Sequence, residues 1–288
     1  MPAGLVVADG DDDTPYVAAG IGHKLADVSP SATIGQARRG RPGRQQRVVG
    51  CHDDAMNGTA LVVGGSSAIG AAVGSSLSGL GLDVVLWGRD PDRLEESRQL
   101  VETNGGAARA VAVDVADRRA LESAAGSLAG QPLRTVVWAA GVFAWAPVDE
   151  ADAGAWEHLI DVNLTAAAVA TRMLMPQLLE CAPSAMVYIG SGASRQAFAN
   201  NAAYVASKHG LLGLSQAVWM DVRDRGVKVS LISPGLVAAG AGLRAPVAAA
   251  HPDWLLQPAD VAAAVAFIVT YPERGCPTEI RIETHRTL

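Results

Sequence analysis

The run Tyr204-Val205-Ala206-Ser207-Lys208 holds the first residues of this 288-residue chain that could do chemistry together. On a helix, a spacing of four puts Tyr204 and Lys208 on one face. A tyrosine at its ordinary pKa of about 10 is a poor base at neutral pH, and it needs a fixed cation nearby to favour the phenolate. Lys208 can supply that charge, so the pair is suited to moving a proton. Ser191 stands upstream at the end of an apolar run, and Asn163 further upstream in DVNL. A Tyr–Lys pair at this spacing is common on any helix face. What makes this one specific is its company: the serine, the order of the surrounding elements, and a glycine-rich turn near the start of the folded pattern.

That turn is Gly64-Gly65-Ser66-Ser67-Ala68-Ile69-Gly70, between an apolar β-run and a helix. Small residues let a backbone approach a pyrophosphate closely, and the helix N-terminus supplies free N–H groups and the positive end of a dipole. The next apolar run, DVVLWG, ends on Gly88 and is followed by Arg89. In dinucleotide-binding folds this tip faces the adenosine ribose, where a carboxylate accepts from both hydroxyls. Here there is no carboxylate, and arginine suits a 2′-phosphate through charge-assisted hydrogen bonds. The plainer reading is that Arg89 only starts a surface helix.

The elements that must position these groups alternate regularly. Strands are expected at TALVV, DVVLWG, RAVAVDV, RTVVWAAG, SAMVYIGS, VKVSLISPG and TEIRIE, with helices between them. One helix is capped by Asp90, with Pro91 in its first turn and Gly105 past its end. A long helix is expected around Trp156–Leu179 and another over Tyr204–Arg225. Near-continuous apolar strands separated by helices imply a parallel sheet covered on both faces, a doubly wound Rossmann-type α/β fold in one domain over 57–288.

Composition excludes other classes. Hydrophobic residues are 49% and charged residues 18%, enough for a buried core. A net charge of −6 gives the whole chain no electrostatic reason to bind nucleic acid. Three cysteines, far apart and odd in number, argue against a disulfide framework and fit a reducing cytoplasm. The histidines are scattered without ligand spacing, so no metal site is expected, and no apolar run approaches the length of a membrane span. Residues 1–56 read differently, as a disordered leader or a mis-assigned start at which Met56 is the true initiator. They carry an acidic cluster (Asp9, Asp11, Asp12, Asp13) and five arginines between Arg38 and Arg47. A leader of this kind has nothing to bury; a basic arm touching nucleic acid is the rival reading of those arginines.

From about Thr59 onward the chain resembles the short, single-domain branch of the short-chain dehydrogenase/reductase family. The matching pieces are GGSSAIG, Asp114-Val115, the turn WAAG at 138–141, Asn163, Ser191, YVASK and Ser233-Pro234-Gly235. The resemblance implies an NADP(H)-dependent oxidoreductase interconverting a carbonyl and a secondary alcohol, with Tyr204 as general acid/base. Ser191 would polarise the carbonyl oxygen, Lys208 would bind the nicotinamide ribose and lower the tyrosine pKa, and Asn163 would help hold a proton-relaying water. Gly64, Ser66, Ser67, Ile69, Gly70, Arg89, Asp114, Val115, Ala140, Gly141, Pro234, Gly235 and Val237, with Tyr204 and Lys208, are the implied contacts to NADP(H). A homotetramer or homodimer is also implied, built on the long helix after Asn163 and the helix that carries Tyr204.

Departures from the family pattern are Val63, Ala68, Trp138 with Ala139, and Ala239. Val63 and Trp138–Ala139 are expected side by side at adjacent strand ends, so that their joint loss of polar groups leaves no buried partner unsatisfied. These departures motivate an alternative, a catalytically silent NADP(H)-binding sensor or scaffold. The segment 236–258 is expected to form a lid over a small-molecule carbonyl or alcohol substrate. Phe143, Trp145, Arg195 and Phe198 are expected to line the pocket.

Overall fold

The computed structural model describes residues 57–286. The expectations for residues 1–56 fall outside the described residues. Strands β1 (Thr59–Val63), β2 (Asp83–Gly88), β3 (Ala108–Ala112), β4 (Leu133–Trp138), β5 (Ser184–Ile189), β6 (Val227–Pro234) and β7 (Glu279–Ile282) form one sheet in the order β3-β2-β1-β4-β5-β6-β7. Every neighbouring pair is parallel. The strand order reverses between β1 and β4, which opens a crevice at the carboxyl ends of the strands, where ligands of such folds sit.

The expected alternation is what builds this sheet. Strands β1, β4 and β5 are buried along their whole length, as unbroken apolar runs must be when helices cover both faces. Helices α1 (Ala68–Gly79), α2 (Pro91–Thr103) and α8 (Pro258–Thr270) lie with α3 (Arg118–Gly126), α4 (Ala153–Ile160), α5 (Ala166–Glu180), α6 (Ala202–Val222) and the short α7 (Pro246–Ala250) between or after the strands. Asp90 caps α2 as expected, its carboxylate accepting from the amides of Asp92 and Arg93 at 3.1 Å each. Among the described residues no helix is long and apolar enough to cross a membrane.

Two expectations are corrected here. The helix expected over 156–179 is broken by a π-helical turn at Asp161–Thr165, between α4 and α5. Such a turn inserts an extra residue and redirects a side chain, and it recurs at functional sites. Here it carries Asn163. Second, the joint departure of Val63 and Trp138 is not free of orphans. The two are register partners as expected, and Trp87 pairs with Val63 from the other side. The indole nitrogens of both Trp138 and Trp87 are buried without a hydrogen-bond partner among the described residues. An indole is a donor with no second option, and Val63 between them offers no acceptor. Each such orphan costs about 1–3 kcal/mol.

Candidate active site

Four loops at the carboxyl ends of β1, β4, β5 and β6 surround the crevice. The first is the glycine-rich turn. Gly64 has φ +93°, and a Cβ there would stand 2.6 Å from the backbone nitrogen of Ala140, so the turn after β1 lies directly against the turn after β4. Ser67 caps α1, its hydroxyl accepting from the Gly70 amide at 3.0 Å and donating to the Gly64 carbonyl at 2.8 Å. The amides of Ala68 and Ile69 have no partner among the described residues and stand at the positive end of α1. The departure Ala68 puts an exposed methyl on this turn.

At the tip of β2, Ser66 lies against Gly88. A Cβ on Gly88 would come within 2.6 Å of the Ser66 Oγ, so no carboxylate-bearing side chain fits at 88 without displacing Ser66. Arg89 is exposed and forms no ion pair among the described residues. Asp114 and Val115 follow β3, where the Asp114 carboxylate accepts from the Ala116 amide at 3.0 Å.

Asn163, Tyr204 and Lys208 converge beneath the turn after β4. The fully buried Asn163 uses its side-chain oxygen to accept from the Val142 amide at 2.7 Å. Its nitrogen donates to the Val142 carbonyl at 3.0 Å and to the Ser207 hydroxyl at 3.1 Å. Ser207 in turn donates to the Tyr204 carbonyl at 2.7 Å. The π-helical turn therefore ties the loop after β4 to the helix that carries the tyrosine. Sequence reading missed Ser207, although its place inside YVASK was visible. Lys208 is buried, and its Nζ donates to the Ile189 carbonyl at the end of β5 at 3.0 Å and sits 5.7 Å from the Tyr204 ring centroid. Gly141 lies over both, since a Cβ there would be 3.3 Å from the Asn163 oxygen and 3.7 Å from Nζ.

Ser191 starts a 3-10 turn at Gly192–Ser194, held by a reciprocal pair in which the Ser191 Oγ accepts from the Ala193 amide and the Ser191 amide donates to the Ser194 Oγ, both at 3.2 Å. Burial pushes the Tyr204 phenol above its ordinary pKa, and a hydrogen bond with the Ser191 side chain pulls the other way. Burial alone brings the Lys208 amine down to about 8. In this chain, then, Tyr204 keeps its proton at neutral pH, and Lys208 titrates first.

The remaining expectations divide. Phe143 packs edge-on against Tyr204, with ring centroids 4.9 Å apart. Arg195 does not offer a free guanidinium to the pocket, because it forms a bidentate ion pair with Glu279 at the start of β7. Segment 236–258 forms a flap closed at its neck by a Val237–Leu256 bridge, with Ala238 donating to the Leu256 carbonyl at 2.7 Å. Inside it lie the 3-10 turn Gly240–Arg244, α7 and the 3-10 turn Pro252–Trp254, where His251 stacks on Trp254 at 3.8 Å.

A parallel doubly wound sheet with a glycine cradle at its switch point, Ser191 after β5, Tyr204 and Lys208 on α6 and Asn163 in the π-helical turn defines a dinucleotide-binding class. Comparison with known proteins makes the class specific: the short chain dehydrogenase family model matches residues 58–247, and the chain belongs to that oxidoreductase family. It is 31% identical over 188 residues to the D-threitol dehydrogenase of Mycolicibacterium smegmatis, covering 65% of this chain and 72% of that protein. The crystal structure of a metagenomic short-chain oxidoreductase in complex with NADP is similar, with a TM-score of 0.70 and 29% identity over 81% of this chain and 100% of that one. A short chain dehydrogenase from Burkholderia cenocepacia, also in complex with NADP, superposes with a TM-score of 0.72 and 28% identity over 80% and 98%.

Proposed function

We propose that this protein interconverts a carbonyl and a secondary alcohol with NADP(H), Tyr204 acting as general acid in reduction and general base in oxidation. The observation that carries this reading is the convergence of Ser191, Tyr204, Lys208 and Asn163 beside the glycine cradle at one end of the sheet. The cradle fits a dinucleotide: glycines at 64, 65 and 70 pack the turn closely, and the unpaired amides of Ala68 and Ile69 stand at the positive end of α1. Gly64, Ser66, Ser67, Ile69 and Gly70 would hold the diphosphate, and Asp114 and Val115 the adenine. Ala140, Gly141, Lys208, Pro234, Gly235 and Val237 would hold the nicotinamide half. Bound there, the nicotinamide supplies the hydride.

The chain's own groups do the rest. Ser191 orients and polarises the carbonyl oxygen. The proton that burial keeps on the Tyr204 oxygen is delivered there, contributing a typical 10²–10⁴-fold, on the order of general acid–base catalysis elsewhere. Asn163 and Ser207 hold the helix and the loop after β4 in register, and buried Lys208 supplies donors to the ribose side. The test is a panel of ketones followed by loss of NADPH absorbance. Tight NADPH binding with no ketone reduced would favour the silent binding protein instead.

Preference for the phosphorylated cofactor is supported by Ser66 filling the place of a carboxylate and by unpaired Arg89. Arg89→Ala is expected to weaken NADP(H) binding about tenfold or more, with NAD(H) nearly unchanged, since a charge-assisted bond of about 1.5–3 kcal/mol is lost only with the phosphate. Titration of both cofactors into both proteins checks this; equal affinity of the wild type for NADPH and NADH contradicts it.

A further inference from the structure

Resting on that reading, we infer that the substrate is a bulky apolar ketone or its alcohol, of the aryl or fused-ring kind, and not a polyol or sugar. Aromatic rings lead outward from the reacting oxygen. Tyr204 meets the edge of Phe143 at 4.9 Å and 73°, and Phe143 meets Trp145 at 6.5 Å and 61°. Trp145 is 66% exposed. Val148, Phe198 and Leu243 are exposed as well, and with Trp145 they belong to the loops after β4, β5 and β6. Those three loops come from the carboxyl ends of strands, where the tyrosine is. Exposed apolar side chains of this sort mark binding surfaces, and from Trp145 the ring contacts lead through Phe143 to Tyr204.

Along the chain, the residues just after Trp145 line a second apolar surface. A cavity of about 400 Å³ opens between residues 146–149 and 197–202, walled by Pro147, Val148 and Phe198. Its floor includes Ala202 and Val205, on the same helix as Tyr204. Asp149 and Asn200 are its polar lining side chains, among seven apolar ones. A polyol needs a fixed donor or acceptor for each hydroxyl it desolvates. Here Arg195, the cation nearest in sequence to Ser191, is held by Glu279. Planar rings, in contrast, gain by stacking on Phe143 and Trp145.

The experiment compares α-tetralone with dihydroxyacetone as substrates for the full chain and NADPH. The wild type is expected to reduce the tetralone with kcat/KM about tenfold or more above that for dihydroxyacetone. Trp145→Ala removes an exposed side chain, so the fold is expected to survive. It should raise KM for the tetralone about tenfold and leave dihydroxyacetone unchanged, and Trp145→Phe should restore most of the loss. A preference for dihydroxyacetone, or equal loss on both ketones, overturns the substrate class while leaving the oxidoreductase reading intact. Should neither ketone be reduced, quenching of tryptophan emission by the tetralone decides. Quenching lost in Trp145→Ala supports the ligand class and overturns the activity; no quenching overturns the ligand class.

Discussion

Tyr204→Phe is expected to leave the fold and dinucleotide binding in place while turnover falls by about 10²–10⁴-fold. The substitution removes one oxygen and keeps the ring that packs on Phe143 at 4.9 Å, so packing loses little. What disappears is the proton carried next to Ser191. Because burial holds the phenol above its ordinary pKa, the wild-type group is protonated at neutral pH, ready to donate in reduction. Oxidation has the opposite requirement and should rise toward alkaline pH, as the phenol gives up its proton. Steady-state rates in both directions, beside NADPH titration and circular dichroism, check all three claims. If Tyr204→Phe retained most of its turnover, Tyr204 would not be the proton carrier.

Lys208→Met is expected to act on binding and on pH dependence together. The amine faces Gly141 and donates to the Ile189 carbonyl at 3.0 Å, and its loss should weaken NADP(H) binding by about tenfold or more. A second consequence concerns stability. Burial lowers the folded-state pKa of Lys208 to about 8 from an ordinary 10.5. Between those values the unfolded chain holds a proton that the folded chain has shed, so stability rises with pH across that window. Wild type should therefore gain stability relative to Lys208→Met as pH climbs from about 8 toward 10.5. Melting temperatures of the two proteins across that range provide the check, and a constant difference would contradict it.

The groups proposed for the chemistry were legible because each sits at a local signal. Tyr204 and Lys208 share a helical spacing, Ser191 ends an apolar run, and Asp90-Pro91 announces a helix start. Contacts between distant segments leave no such period. Asn163 reaches Val142 across the broken helix, and nothing in DVNLT marks a π-helical turn. Arg195 looked like a pocket cation because its partner, Glu279, is 84 residues away. Val63 and Trp138 were recognised as neighbours, yet the orphaned indoles depend on Trp87 arriving from the other side. Gly88 read as a missing carboxylate; only the packing of Ser66 against it gives a steric reason.

The most direct measurement of the central claim uses NADPH carrying deuterium at the transferring ring carbon, with one ketone that the wild type binds. The account predicts deuterium on the carbinol carbon of the product alcohol, transferred from one face only. It predicts that Tyr204→Phe forms the same labelled alcohol about 10²–10⁴-fold more slowly. Tight binding of NADPH with no deuterium reaching any alcohol, in wild type and variant alike, would contradict it and leave a protein that holds the dinucleotide without using it.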